Sequence, residues 1–252
     1  MTNIILCGCG GRMGKAVYAA AHNDTEIVAG VDINASALSA ALPYPVYESI
    51  SDFPGKADVI VDFSHHSSLP SLLQYAKQTK TPLVVATTGH TDEELSLMRE
   101  YADEIAIFHS GNFSIGINLL VNLAKQAART LGVDFDIEIV EKHHNKKLDA
   151  PSGTALMIAD AVASERESSE YVYDRHSVRK ARESSEIGIH SVRGGTIVGE
   201  HEIIFAGNNE TVSISHSAAS REIFATGALR AAIYLANKKT GLYNMSDLIE
   251  GK

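Results

Sequence analysis

The stretch Asn3–Gly14, N-I-I-L-C-G-C-G-G-R-M-G, decides the fold that this sequence predicts. Its apolar start predicts a strand over Asn3–Cys7, the glycines that follow predict a tight turn, and a helix is predicted over Lys15–His22. A glycine turn lets a pyrophosphate approach the N-terminus of such a helix, where backbone N–H groups attract anions. A strand, a glycine turn and a helix in this order indicate a dinucleotide site.

The glycine spacing differs from the usual G-x-G-x-x-G pattern. It can be read as Gly8-x-Gly10 with a longer gap to Gly14. The alternative reading takes Gly8, Gly11 and Gly14. A glycine motif alone is not specific, so the interpretation depends on the strand and helix around it. Arg12 adds a positive charge beside the expected phosphates.

Asp32 follows the second predicted strand, Glu26–Val31. An acidic side chain at this point of a dinucleotide-binding unit binds the ribose 2′-hydroxyl. No Arg or Lys follows it directly, so the 2′-phosphate of NADPH would meet a carboxylate, which favours NADH. Lys15 or Arg12 could still supply a cation, so both cofactors remain open.

Strands and helices alternate through the next hundred or so residues, which predicts a Rossmann-type, doubly wound parallel sheet. Ligands of such sheets lie beyond the carboxyl ends of the strands. The turns Thr87–Gly89 and Ser110–Phe113 are therefore expected to line the nicotinamide end of the cofactor site. The alternative is that these residues only form ordinary turns. The predicted strands are Ala57–Phe63, Pro82–Ala86 and Ile105–His109, and the predicted helices are Leu69–Lys77 and Asp92–Ala102.

The pattern changes after Phe113 and predicts a second, α+β domain with a mixed sheet over residues 114–219. The last helix is expected to return to the first domain, which would then be discontinuous, with residues 1–113 and 220–252. The segments behind this prediction are a helix over Ile115–Leu131, strands over Asp136–Val140, Ile187–Val192, Thr196–Ala206 and Thr211–Ser217, a turn at Arg193–Gly195, a loose connection over Glu165–Ser185, a helix over Ser220–Asn237 and a C-cap at Gly241.

The stretch Glu141–Thr154, E-K-H-H-N-K-K-L-D-A-P-S-G-T, combines adjacent histidines and lysines with a helix start. Ser152 is a predicted N-cap of a helix over Thr154–Glu165. Free N–H groups at such a start bind anions, lysines attract carboxylates, and histidine supplies a proton near neutral pH. The stretch predicts a site that holds and protonates a small anion, and a solvated basic loop is the alternative.

Composition excludes several classes. Apolar content of 44% predicts a soluble globular protein, and no apolar run reaches the ~20 residues of a membrane span. A net charge of −9 without a basic tract argues against nucleic acid. The N-terminus lacks the features of a signal peptide, so a cytoplasmic protein is expected.

Cys7 and Cys9 form no metal or disulfide framework, and His65 and His66 are interpreted as a polar loop or helix cap.

Four motifs together resemble the 4-hydroxy-tetrahydrodipicolinate reductase family, also called dihydrodipicolinate reductase. The resemblance implies a Rossmann-type cofactor domain, a substrate-binding and tetramerisation domain, and an NAD(P)H-dependent oxidoreductase of lysine and diaminopimelate biosynthesis. The motifs are Gly8–Gly14, Glu141–Thr154, V-R-G-G-T-I-V-G-E-H at Val192–His201 and S-R-E-I-F-A-T-G-A-L-R at Ser220–Arg230.

The same resemblance implies the site residues. His143 would be the proton donor and acceptor, and Lys147 a second acid and substrate ligand. His144, Gly153 and Thr154 would bind the substrate carboxylates. The cofactor contacts would be Gly8, Cys9, Gly10, Gly11, Arg12, Met13, Asp32, Thr87, Thr88, Gly89, Ser110, Gly111, Asn112 and Phe113. The sequence departs from the family pattern at Ala86 and at Ser110-Gly111, near the nicotinamide.

Three rival functions remain on sequence alone. One is a Rossmann reductase of another cyclic dicarboxylate, and another is a non-catalytic NAD-binding sensor. The third is a metal-dependent hydrolase with His143, His144 and Asp149 as ligands. It is disfavoured because adjacent residues of an extended chain point to opposite faces and no third ligand is suitably spaced, so no metal is expected.

Overall fold

The computed structural model describes all residues, Met1–Lys252, and they form two compact units. The first comprises Met1–Ile115 with Glu222–Lys252, and the second comprises Gly116–Arg221. The division of cofactor binding and substrate binding between them remains a prediction. No helix combines the length and the hydropathy that a membrane span requires.

The first unit is built on a seven-stranded, wholly parallel sheet. Its strands are β1 (Thr2–Cys7), β2 (Thr25–Val31), β3 (Val46–Tyr47), β4 (Val59–Asp62), β5 (Leu83–Val85), β6 (Ala106–His109) and β12 (Gly241–Tyr243). Its helices are α1 (Arg12–Ala20), α2 (Ala35–Leu38), α3 (Leu69–Thr79), α4 (Asp92–Tyr101), α7 (Glu222–Leu235) and α8 (Met245–Glu250). The strand order is β12-β6-β5-β4-β1-β2-β3. The predicted Rossmann-type fold is confirmed.

Helices cover both faces of this sheet, which explains its continuous apolar strands. Ile4 and Leu6 point to one face and pack in a cluster with Leu229 of α7. Ile5 points to the other face and packs with Leu73 of α3. Alternate residues of β1 thus enter two separate cores, so both faces of this strand are apolar.

The second unit contains a mixed five-stranded sheet in the order β11-β10-β7-β9-β8. β7 pairs in parallel with β9 and antiparallel with β10, so the predicted mixed sheet is confirmed. Helices α5 and α6 pack on one face through an apolar core that includes Ile137, Phe205 and Ile158. The elements are α5 (Ile115–Leu131), β7 (Asp136–His143), α6 (Gly153–Ala163), β8 (Glu170–Val172), β9 (Glu186–Arg193), β10 (Gly199–Ala206) and β11 (Thr211–Ala218).

The prediction of a C-cap at Gly241 is wrong. Gly241 has φ +118° and begins β12, which pairs in parallel with β6 at the edge of the sheet. Its N–H donates to the Ala102 carbonyl at 2.7 Å. A three-residue edge strand is too short to show a period, and only its pairing partner makes it a strand.

The prediction of a loose connection over Glu165–Ser185 is also wrong in part. β8 lies inside it and pairs in parallel with β9. Arg166 donates to the carbonyls of Gly132 and Phe135, and Arg182 donates to the carboxylate of Asp136. These bonds reach back more than thirty residues along the chain, so local sequence patterns cannot reveal them.

The Arg193–Gly195 turn does not join two paired strands, because β7 lies between β9 and β10. The segment crosses the end of β7 and binds the chain there. Gly194 N–H donates to the His143 carbonyl at 2.9 Å, and Asn145 N–H donates to the Gly195 carbonyl at 3.2 Å. This crossing extends β7 to His143, beyond the predicted end at Val140.

Gly227 allows the close approach of α7 to Phe113. A Cβ added at Gly227 would lie 1.7 Å from the Phe113 carbonyl oxygen. In an open helix position Gly→Ala stabilises by about 1 kcal/mol, but overpacking costs about 1–3 kcal/mol or more. We expect Gly227→Ala to lower the free energy of unfolding by at least about 2 kcal/mol in urea denaturation.

Thr226→Ala, on the exposed side of the same helix, is the matched control and should leave stability unchanged or slightly higher. An unchanged or higher stability of Gly227→Ala would show that α7 does not approach Phe113 closely.

Candidate functional site

The turn after β1 requires glycine at several positions. Gly8 has φ +73°, and a Cβ there would lie 2.6 Å from the Phe63 carbonyl oxygen. A Cβ on Gly14 would lie 2.3 Å from the Gly8 carbonyl oxygen, whereas one on Gly11 would come no closer than 3.2 Å. The backbone therefore crowds Gly8 and Gly14 most tightly, a pair that both readings of the motif share. α1 begins at Arg12, inside the motif and earlier than predicted.

Asp32 is tied to this turn. Its carboxylate accepts hydrogen bonds from Gly10 N–H and Asn34 N–H, each at 3.0 Å. A cavity of about 510 Å³ lies beside it, and four predicted cofactor residues line it, namely Gly8, Gly10, Gly11 and Asp32. Gly11 caps α1 without a side-chain hydrogen bond, which leaves the helix start open to an anion. The glycine cradle, the open helix start and the cavity fit a dinucleotide.

The Thr87–Gly89 turn lies at the carboxyl end of β5 and is anchored to a buried carboxyl group that sequence reasoning missed. Thr87 Oγ1 donates to Asp62 Oδ2 at 2.7 Å, and Ser64 donates to Asp62 Oδ1. Burial raises the pKa of Asp62, and the hydrogen bonds from Ser64 and Thr87 oppose that rise. The only sequence signal is an acidic residue inside an otherwise apolar strand.

The Ser110–Phe113 segment follows β6, and local hydrogen bonds fix its conformation. Ser110 Oγ donates to the Asn112 carbonyl at 3.0 Å, and Asn112 Oδ1 accepts from Ser114 N–H at 2.8 Å. The Phe113 ring lies in the core against Phe108, with ring centroids 5.7 Å apart. Phe113, like the buried Cys9, can therefore offer only its backbone to a ligand.

In the second unit, the extension of β7 brings Glu141 and His143 to the same buried face. His143 Nδ1 lies 2.6 Å from Glu141 Oε2. Because β7 and β9 are parallel and His143 pairs with Arg193, the guanidinium group reaches the same carboxylate. Arg193 donates to both oxygens of Glu141 at 2.8 and 2.7 Å, and Ser152 N–H donates at 3.1 Å.

These donors keep Glu141 ionised although it is fully buried. Burial alone would raise its pKa, but the hydrogen bonds from Arg193, Ser191 and His143 outweigh burial and lower the pKa to about 2. A carboxylate only accepts hydrogen bonds, so His143 Nδ1 carries a proton. Nε2 of His143 has no hydrogen-bond partner in the protein and is the nitrogen left to exchange a proton.

His201 packs edge-on against His143, with ring centroids 5.3 Å apart. Burial, reinforced by His143, lowers the pKa of His201 to about 4. His201 is thus neutral at pH 7 and does not oppose a positive charge on His143. Ser152 Oγ lies 3.1 Å from His201 Nε2 and also caps α6 by accepting from Ala155 N–H, which confirms the predicted N-cap.

The other predicted substrate residues lie in the segment that follows β7 and at the start of α6. Lys147 is ion-paired with the exposed Asp149 at 2.8 Å, and His144 lies outside the strand, 3.4 Å from the Arg221 guanidinium group. Gly153 and Thr154 begin α6, one residue earlier than predicted. No group of three or more His, Cys, Asp or Glu side chains is placed to hold a metal ion.

Comparison with known protein families identifies the family to which this chain belongs. The chain matches the family model for the N-terminus of dihydrodipicolinate reductase over residues 2–113, and the model for its C-terminus over residues 116–249. The chain belongs to the dihydrodipicolinate reductase family. It is therefore an NAD(P)H-dependent oxidoreductase, as the sequence predicted.

Individual relatives agree with this family membership. The chain is 53% identical over 253 residues to the 4-hydroxy-tetrahydrodipicolinate reductase of Caldanaerobacter subterraneus subsp. tengcongensis, with 99% of each chain covered. It is 47% identical over 255 residues to that of Clostridium novyi, with 100% of each covered.

Solved structures agree with the fold. A dipicolinate-bound dihydrodipicolinate reductase from Paenisporosarcina sp. TG-14 has a TM-score of 0.82 at 27% identity, covering 98% of this chain and 99% of that chain. A probable dehydrogenase from Thermotoga maritima, with a TM-score of 0.63 at 10% identity, covers 99% of this chain and 89% of that chain and shares the fold alone.

The Glu141 carboxylate should stabilise this dihydrodipicolinate reductase family member in a pH-dependent way. Glu141→Gln keeps the shape but leaves Arg193 beside a neutral amide, and we expect it to lower the free energy of unfolding at pH 7 by about 3 kcal/mol. The pKa of this group falls from 4.5 to about 2 on folding, so its stabilisation is complete above pH 4.5 and is lost toward pH 2. The difference between wild type and variant, measured in urea, should shrink accordingly.

The matched control is Glu200→Gln, which removes a half-exposed ion pair with Lys142 in the same sheet and should cost less than about 1 kcal/mol. An equal loss in both variants, or a difference that does not change with pH, would contradict the buried ion pair.

Proposed function

We propose that this protein reduces 4-hydroxy-tetrahydrodipicolinate, which becomes dihydrodipicolinate on loss of water, to tetrahydrodipicolinate in diaminopimelate and lysine biosynthesis. The names of its relatives support the substrate. The observation that carries the proposal is the His143 ring, whose Nδ1 is held by a buried carboxylate while Nε2 is free to exchange a proton. A cyclic imine that accepts a hydride needs such a proton donor.

The first unit is proposed to bind the cofactor. When bound, the reduced nicotinamide supplies the hydride. The Gly8–Gly14 turn and the α1 start would hold the pyrophosphate, Asp32 would hold the ribose hydroxyls, and the Thr87–Gly89 and Ser110–Phe113 turns would position the nicotinamide end.

His143 is proposed to deliver the proton. Glu141 fixes the ring with Nδ1 protonated, so the imidazolium form presents a second proton on Nε2. After transfer, the neutral ring keeps its bond to Glu141 and does not need to turn. The neutral His201 beside it leaves the protonated state of His143 unopposed before the transfer.

Lys147, His144 and the start of α6 are proposed to bind the two carboxylates of the substrate. The ion pair with Asp149 holds the Lys147 side chain in position. Lys147 would supply the substrate site with a second positive charge or a second acid. Gly153 and Thr154 lie where helix N–H groups point outward. Since His143 is buried in the strand and His144 lies beyond it, His144 is proposed as a ligand rather than as the proton donor.

We also propose a cofactor preference, an oligomeric state and a cellular location. Asp32 favours NADH over NADPH, because a 2′-phosphate would meet its charge. A homotetramer formed through the second unit is supported by its sheet, where helices cover one face while residues such as Val192 on the other face are exposed. A cytoplasmic location fits a biosynthetic enzyme that uses a reduced nicotinamide.

Removing the proton donor should slow chemistry more than binding. We expect His143→Gln to lower kcat by about 10²–10⁴-fold with little change in KM, and Lys147→Ala to impair both. NADH oxidation is measured with the condensation product of aspartate semialdehyde and pyruvate. Lys146→Ala, an exposed neighbour, is the control and should behave as the wild type. An unchanged kcat for His143→Gln would refute its role, and cofactor binding without any wild-type turnover would favour a sensor.

Asp32 should set the cofactor preference. Asp32→Asn keeps an acceptor for Gly10 N–H and removes the charge, so we expect the ratio of NADPH to NADH affinity to rise by about tenfold. NADH and NADPH are titrated by fluorescence in the presence of pyridine-2,6-dicarboxylate, a planar dianion. Asp103→Asn, at an exposed aspartate just after α4, is the control. An unchanged ratio would remove Asp32 from the ribose site.

A further inference from the structure

Four histidine side chains form a row at the carboxyl ends of β4, β5 and β6, and the proposed reaction uses none of them. His65 stacks on His66 at 4.3 Å between ring centroids, His66 lies 6.3 Å from His90, and His90 lies 5.7 Å from His109. Glu94 of α4 lies among them. The sequence predicted only a polar loop or helix cap at His65 and His66.

His90 is the buried centre of this row, and its side chain is 2% exposed. Nε2 lies 3.1 Å from the Thr87 carbonyl oxygen. Because a carbonyl only accepts, Nε2 carries a proton. Nδ1 is buried, makes no aligned hydrogen bond, and lies 3.3 Å from Glu94 Oε2. A lone pair facing a carboxylate at this distance would be repelled, so the geometry requires a proton on Nδ1 as well.

Glu94 is held as a carboxylate by other donors. His66 Nδ1 lies 3.0 Å from Oε1, and Thr91 N–H donates to Oε2 at 2.9 Å in the capping box that begins α4. The hydrogen bond from His66, followed by that from Thr91, lowers the pKa of Glu94. A permanent negative charge therefore faces His90 across the pH range in which histidine titrates.

We infer that His90 is a positioning residue for the cofactor, an imidazolium held between Glu94 and the Thr87 carbonyl that fixes the Thr87–Gly89 turn. This inference rests on the proposed contact of that turn with the cofactor. Thr87 is held from its other side by Asp62, so the turn is fixed through both its side chain and its backbone.

The protonation of His90 depends on every element packed against it. Glu94 of α4 and Asp62 of β4 favour the cation, and His66 and His109 of β6 oppose it when they are charged. Burial and the nearby His90 lower the pKa of His109, so His109 is neutral at pH 7. Loss of the Nδ1 proton of His90 would remove the attraction to Glu94 and release the turn. Cofactor affinity should therefore weaken with rising pH.

The test is a fluorescence titration of NADH, without substrate, against the wild type, His90→Gln and Glu94→Gln between pH 6 and 8.5. Gln can still donate to the Thr87 carbonyl but carries no charge. We expect about tenfold weaker NADH binding in both variants and loss of the pH dependence that the wild type shows. Under saturating NADH, kcat should change less than about threefold, which separates positioning from chemistry. His22→Gln, at an exposed histidine, is the control.

NMR of the ¹⁵N-histidine-labelled wild-type protein provides a readout that does not depend on how the variants fold. A doubly protonated His90 ring at pH 7 supports the inference, and a neutral ring at pH 6 overturns it. Equal NADH affinity and an equal pH profile in wild type and variants also overturn it. If the wild type binds no NADH while His90 is doubly protonated, the proposed function fails and the ion pair stands.

Discussion

Parallel strand pairing is the constraint on which the rest of this structure depends. It places the carboxyl ends of neighbouring strands at one edge, so loops far apart in sequence meet there. In the first unit it gathers the turns after β1, β4, β5 and β6. In the second unit the parallel pair β7 and β9 sets His143 opposite Arg193, which allows one carboxylate to bind both.

The buried carboxyl groups at these edges organise the adjacent turns. Asp62 is held by neutral donors, Ser64 and Thr87, and burial raises its pKa. Glu141 is held by a guanidinium group, a backbone N–H and an imidazole, and its pKa falls to about 2. The difference is physical: a cation can compensate the cost of desolvating a charge, whereas neutral donors compensate it only in part.

The neighbouring groups also distinguish the two histidines on which the proposals depend. His143 has one ring nitrogen on a carboxylate and the other without a protein partner, an arrangement suited to proton transfer. His90 has a carbonyl on one side and a carboxylate on the other, an arrangement suited to holding a fixed charge. The two buried histidines thus differ in the groups that their second ring nitrogen meets, and the roles proposed for them follow from that difference.

The sequence by itself determined the fold class, the family and the long helix α5, because glycine spacing, apolar period and specific motifs are local signals. It did not reveal β12, β8 or the crossing of Arg193–Gly195 over β7, which exist only through partners distant in the chain. Likewise, the roles of Glu141 and Glu94 were decided only by the tertiary structure. From the sequence alone, a charged residue is expected to lie in solvent. When the fold buries such a residue, the groups packed around it determine its protonation state and what it can do.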